Sequence, residues 1–155
     1  MFAFGAGITP GKTTRALVSA LDVYPTVLEL AGAPKPPESS MGKSLLPLLK
    51  DSRAPHRFTV LSECVGVGGK PGEGHRMARG DRWKLILSDR DEEFLYDQQN
   101  DPFELNNRVA DPEVAPVLNQ LRRDLSAWMK EIGDRPYPFA NQTNSNNSKK
   151  DKYKR

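Results

Sequence analysis

One cysteine, Cys64, and two histidines, His56 and His75, are all the thiol and imidazole ligands that 155 residues provide. A single thiol excludes an internal disulfide and a cysteine-rich zinc site. Cys64 is expected to be a small, half-buried residue at a strand end rather than a reactive nucleophile. Neither histidine has a paired acidic cluster of metal-ligand spacing around it. Long apolar runs are also missing. Mean hydropathy is −0.64, and no stretch approaches the roughly 18 apolar residues of a membrane-crossing helix. Met1-Phe2-Ala3-Phe4 lacks a charged start followed by a longer apolar stretch, so no secretory signal peptide is expected at this N-terminus. No internal repeat is visible.

Acidic residues are scarce in one place, and this explains the pI of 9.0. In residues 139–155, Lys149, Lys150, Lys152, Lys154 and Arg155 face Asp151 alone, a net +4 out of the chain's +3, which leaves −1 for residues 1–138. The basic character therefore belongs to a tail without apolar pattern, expected to be disordered, and argues against a nucleic-acid-binding surface. Two glycosylation-type triplets in that tail, Asn141-Gln142-Thr143 and Asn146-Asn147-Ser148, are of the kind an Asn/Ser tract produces by chance.

What is present reads as α+β. Residues 23–31 fit a helix, with Asp22 as N-cap, Pro25 at the third position and Gly32 as the left-handed end. Val23, Val27 and Leu30 share one face and Tyr24, Leu28 and Ala31 another, so this helix is apolar around most of its circumference and requires burial on several sides. A proline-rich connector, residues 34–40, leads to a second short helix over residues 44–49, capped by Ser44. Residues 58–63 favour a strand, and five glycines in residues 66–74 predict a mobile loop. Residues 75–78 and 83–88 read as strands joined at Gly80-Asp81, and Phe94-Leu95-Tyr96 as another. From Asp111-Pro112-Glu113 a final helix runs to Gly133, with Leu118, Leu121, Leu125, Trp128 and Ile132 at helical spacing.

Ala6-Gly7-Ile8-Thr9-Pro10-Gly11-Lys12-Thr13 matches a relaxed phosphate-loop pattern. Ala6 replaces the first glycine, and Pro10 removes an N–H from the cradle that would donate to phosphate. The flanking residues also lack the buried strand and long helix that such a loop joins. A Thr-Pro-Gly turn is the simpler reading, and a nucleotide binder remains a remote alternative.

Four segments, in order, resemble the C-terminal part of type I sulfatases, which belong to the alkaline-phosphatase-like superfamily. They are LVSALDVYPTVLELAG from Leu17, MGKSLLPLL from Met41, the basic hairpin RMARGDRWKLI from Arg76, and Phe94-Leu95-Tyr96-Asp97 followed by Asn100-Asp101-Pro102-Phe103-Glu104 and Asn106-Asn107. The resemblance implies sulfate-ester hydrolysis in a parent enzyme, acting on a sulfated small molecule or glycan. Related phosphonate hydrolases share the superfamily. It further implies a formylglycine made from Cys or Ser in a Cys-x-Pro-Ser-Arg type segment, and a calcium ion held by carboxylates and an amide. Neither is visible: Cys64 is followed by Val65-Gly66-Val67-Gly68, and no Ser precedes an x-Pro-x-Arg. The expectation is that both lie in an N-terminal α/β domain preceding Met1, that residues 1–50 are the end of that domain and dock on it, and that the chain alone is inactive. The resemblance leaves periplasmic, secreted and lysosomal placements open.

The expected architecture is a small antiparallel sheet of three or four strands over residues 51–138, covered by the C-terminal helix. Because a sulfate ester is an anion, the basic hairpin is the candidate substrate contact. His75, Met77 and Arg79 would share one strand face and Arg76 and Ala78 the other, which makes His75 and Arg79 the candidate substrate-binding residues. A solvated basic edge that protects the sheet is the plainer reading. A non-catalytic accessory or interaction module is the alternative function, needing no nucleic acid or membrane.

Overall fold

The computed structural model describes residues 5, 8, 10–64 and 73–139. Most of the glycine-rich loop, part of the phosphate-loop pattern and nearly all of the basic tail, with both glycosylation triplets, lie outside these residues. The chain divides into two units at Phe58/Thr59.

In the first unit, a 3-10 turn over Ala20–Asp22 leads directly into α1, Val23–Leu30. Asp22 holds the N-cap position of α1 predicted from the sequence, but its side chain makes no capping bond to α1. Ser19 caps the turn, with its side chain accepting from Leu21 N, and Asp22 answers from the third position by accepting from Ser19 N at 2.7 Å. That reciprocal pairing is a capping box, which ties up two amide donors that the helix itself leaves unpaired. Pro25 sits early in α1, where no intrahelical donor is lost, and Gly32 closes the helix at φ 64°. The second helix, α2, spans Leu46–Lys50, with Leu45 at the cap position and Ser44 Oγ accepting from Leu46 N. The broad apolar surface predicted for α1 is realised. Leu21, Val23, Tyr24, Val27 and Leu30 are each 44–56% exposed.

In the second unit, β1 (Val60–Cys64), β2 (His75–Arg79), β3 (Trp83–Ser88) and β4 (Glu93–Asp97) form an antiparallel meander in chain order. Register puts Leu61 opposite Ala78, Ala78 opposite Leu85 and Leu85 opposite Leu95. Alternation along each strand aims that row at one face, where α3 (Ala115–Glu131) covers it. Asp111 caps the entry to α3, accepting from Glu113 N at 2.9 Å. The helix buries Leu118, Leu121, Arg122, Leu125 and Met129. Its buried stripe is thus rotated from the one read in sequence: Trp128 and Ile132 are half-buried, whereas Met129 is fully enclosed. Cys64, expected to be half-buried, is exposed. Among the described residues no helix is long and apolar enough to cross a membrane.

Candidate functional site

The first sequence signature folds around one buried carboxylate. Asp22 is fully buried and accepts from the amides of Ser19 and Lys43, from His56 Nε2 at 3.2 Å and from the Arg57 guanidinium. Burial pushes its pKa up, but the amides of Lys43 and Ser19, then His56 and Arg57, outweigh this and hold it below 3.8. Thr26 adds a second link, donating to Asp22 O and accepting from Leu45 N at 2.8 Å. The connector could not approach this closely with a side chain at position 42, because a Cβ on Gly42 would stand 2.2 Å from Leu21 O. The Asp, Thr and Gly of the first two signatures therefore join α1 to the connector, an architectural role. His56 Nδ1 and Arg57 Nε are buried with no partner among the described residues.

On the second unit, β2 presents the predicted alternation. Ala78 faces α3, and Arg76 turns to the same side, where its guanidinium pairs with both oxygens of Asp134 and with Asp89. His75, Met77 and Arg79 point to the uncovered face. His75 lines a shallow depression of about 490 Å³ there, together with Ile86, Arg90, Phe94, Tyr96 and Glu104. Phe94 and Tyr96 lie nearly parallel, centroids 6.4 Å apart. Burial first, then the charges of Glu104 and Asp101, raise the Tyr96 pKa above 10.0 and keep the phenol neutral. Arg79 does not line the depression. Four residues along β2, roughly 13 Å from His75, its guanidinium donates to Gly80 O and Asp81 O across the hairpin turn. The two candidate residues share a face but not a cavity.

The last signature builds a densely hydrogen-bonded loop after β4. Asp97 accepts from Arg82, Gln99, Asn100 and the Asn100 side chain, and Asp101 accepts from Leu105 N and Asn106 N. Asn107 bridges back to β4 by accepting from Leu95 N and donating to Glu93 O. Glu104 sits at φ 59° and pairs with Lys84. These residues satisfy backbone groups where the chain turns, as Asp and Asn do.

Sequence reading missed the partners of Asp22, which lie 21 to 35 residues away. It also missed a buried cluster in which Glu93 accepts from Arg122 and from the Tyr137 hydroxyl, with Arg122 lying over the Phe139 ring. A charge on the apolar face of a helix, as at Arg122, was the available signal. The described residues do not suit the implied calcium, since no three His, Cys, Asp or Glu side chains converge among them. Cys64 likewise stands outside the sequence context from which formylglycine is made.

Residues 1–131 match the family model described as N-sulphoglucosamine sulphohydrolase, C-terminal. An ulvan-active sulfatase of Formosa agariphila is 31% identical over 82% of this chain and 32% of its own length. Arylsulfatase K of Rattus norvegicus is 35% identical over 81% of this chain and 24% of its own. The solved structure of a 2-O GAG sulfatase superposes with a TM-score of 0.71 at 31% identity, covering 84% of this chain and 29% of that one. The chain thus spans about a third or less of these relatives. The four-stranded meander, its covering helix and the signature residues all fall within the matched residues, and the chain belongs to the sulfatase family, as a C-terminal region of the alkaline-phosphatase-like superfamily.

Proposed function

We propose that this chain serves as the C-terminal part of a sulfate-ester hydrolase and does not turn over substrate by itself. The observation that carries the reading is the span of the match: about four-fifths of the chain aligns with a third or less of sulfatase relatives. In the full enzyme a formylglycine would supply the nucleophile and calcium the charge that activates the sulfate ester, and the residues holding them would come from a preceding domain, since none of the described residues suits either. Residues of the first unit dock on that domain. The exposed apolar belt of Leu21, Val23, Tyr24, Val27 and Leu30 supports this, because contiguous apolar surface on a helix favours burial against a partner. His75 and Arg79 contribute donors to an anionic, sulfated sugar. The position of His75 beside two parallel aromatic rings supports that role through its ring N–H, while Arg90 shares the depression with Glu73, Glu92 and Glu104.

The test compares two proteins on an aryl sulfate: the purified 155-residue chain, and a longer polypeptide carrying an upstream sulfatase domain. The expected result is turnover by the longer protein alone, dependent on calcium. Turnover by the short chain, abolished by a substitution within it, would overturn the proposal.

A further inference from the structure

The outer side of α3 carries a second groove, away from the open face of the sheet. Ser126 and Ala127 line one side and Pro136 and Tyr137 the other, enclosing about 510 Å³. Tyr137 is buried in the core with its hydroxyl on Glu93, so it closes the groove from beneath and offers little surface of its own. Arg123, Lys130 and Arg135 also line the groove, together with one acid, Asp134. Both Asp134 oxygens are held by Arg76, and Arg135 is paired with Asp91. Arg123 donates to the neutral Gln120 side chain. Arg123 and Lys130 are therefore exposed cations that no carboxylate matches among the described residues. Seven residues apart on α3, they stand on one side of the helix, about 10 Å from each other along its axis.

This combination selects among polyanions. Double-stranded nucleic acid carries a charge every ~1.7 Å, and its binding rests on many simultaneous phosphate contacts; two unmatched cations about two helical turns apart reach few of them. A sulfated pyranose chain offers apolar C–H faces that suit the exposed Pro136 and Ala127, with anionic groups recurring at sugar-length intervals for Arg123 and Lys130.

We propose that the groove between α3 and residues 134–137 is a secondary binding site for a sulfated polysaccharide, holding the polymer at Arg123 and Lys130. The choice of a sulfated sugar rests on the sulfate-ester reading. Binding is measured without turnover, so failure here leaves that reading standing, and inactivity of a full enzyme leaves this site standing.

The probe is dextran sulfate, titrated into the full chain and followed by amide resonances and calorimetry, with unsulfated dextran as the neutral match. Each titration is repeated with Lys149, Lys150, Lys152 and Lys154 replaced by Gln, which removes the tail's contribution. Dextran sulfate should shift the amides of Ser126, Ala127, Lys130 and Tyr137 in both backgrounds, and dextran should not. In the tail-neutral background, combining R123A with K130A should weaken binding by about tenfold or more, the loss of two charge-assisted contacts, while the thermal midpoint stays unchanged because both side chains are exposed. Unchanged affinity in that double variant overturns the proposal. So does duplex DNA that shifts the same amides with equal affinity, which would make the groove an unselective polyanion surface.

Discussion

Asp22 accepts a hydrogen bond from the backbone amide of Lys43 at 2.8 Å, fastening the start of α1 to the chain segment that precedes α2. The same carboxylate receives His56 and Arg57, so neutralising it leaves the half-buried Arg57 guanidinium without its counter-charge. Asp22→Asn should cost about 3–5 kcal/mol, the range for breaking a buried ion pair by removing one partner. Hydrogen exchange provides the measurement, with the amides of Lys43 and Leu45 losing protection together. Loss confined to Lys43 would reduce the cluster to a local cap.

Gly42 offers an independent probe of the same junction. A methyl group there meets backbone, Leu21 O at 2.2 Å and Leu21 C at 2.9 Å, rather than a flexible side-chain end. Gly42→Ala should therefore destabilise the first unit by about 2 kcal/mol or more, as forced overpacking does. Gly32→Ala meets nothing within 4 Å but must hold φ 64°, at a cost nearer 1 kcal/mol. Thermal unfolding of the two variants should rank Gly42→Ala as the more damaging.

Acid should unfold the chain in a narrow window. Asp22, Asp101, Asp111 and Asp134 all have pKa values held below 3.8 in the fold. For Asp134 the chief cause is its pairing with Arg76; for Asp101, the amides of Leu105 and Asn106. A carboxylate depressed by folding contributes stability that is fully present above its unfolded value and disappears as pH falls through its folded value. Circular dichroism should stay flat down to about pH 4 and change below it. At the other end, burial and then Glu93 raise the Tyr137 pKa above 10.0. Stability from that group is present below pH 10.0 and declines as pH rises beyond it.

These clusters mark where sequence reading reached its limit. The ends of α1 and α3, the hairpin turn and the alternation of β2 were legible because each is set within a few residues by a proline, a glycine, a cap or a period of two. The row Leu61, Ala78, Leu85, Leu95 followed from that alternation once the strands were paired. The role of Asp22 was misread because its residue type suits a cap, and its real partners arrive from the connector and from residues 56–57. The α3 stripe was misread by the same route. Trp128 has the larger apolar surface, yet Met129 and Arg122 are enclosed because Glu93 and Tyr137 provide Arg122 with polar partners inside the core. Side-chain pairs distant in sequence leave no local periodicity to detect.

Arg122 tests that account directly. Removing it strands the buried Glu93 carboxylate, which then keeps Tyr137 as its remaining side-chain partner. Arg122→Ala should cost about 3–5 kcal/mol, whereas replacing Glu93 and Arg122 together with Leu and Met should recover most of the loss, since apolar packing can substitute for a buried ion pair. Chemical denaturation of the single and double variants measures the difference as a coupling energy. A double variant as unstable as Arg122→Ala would show that the cluster does more than satisfy its own charges.

In a full-length sulfatase that carries this C-terminal part, His75 and Arg79 should affect substrate affinity more than the chemical step. His75 lines the depression beside Phe94 and Tyr96, while Arg79 lies outside it, held at the hairpin by Gly80 O and Asp81 O. His75→Ala should raise KM by a factor worth about 1.5–3 kcal/mol, the size of a hydrogen bond to a charged group, with kcat moving less. Arg79→Ala acts on a different part of the same face, so the two free energies should add within about 0.5 kcal/mol, as they do for sites without shared partners. Steady-state kinetics on the two single variants and the double separates the cases. An unchanged KM in all three would make the hairpin a solvated edge, and a fall in kcat at constant KM would place His75 at the chemical step.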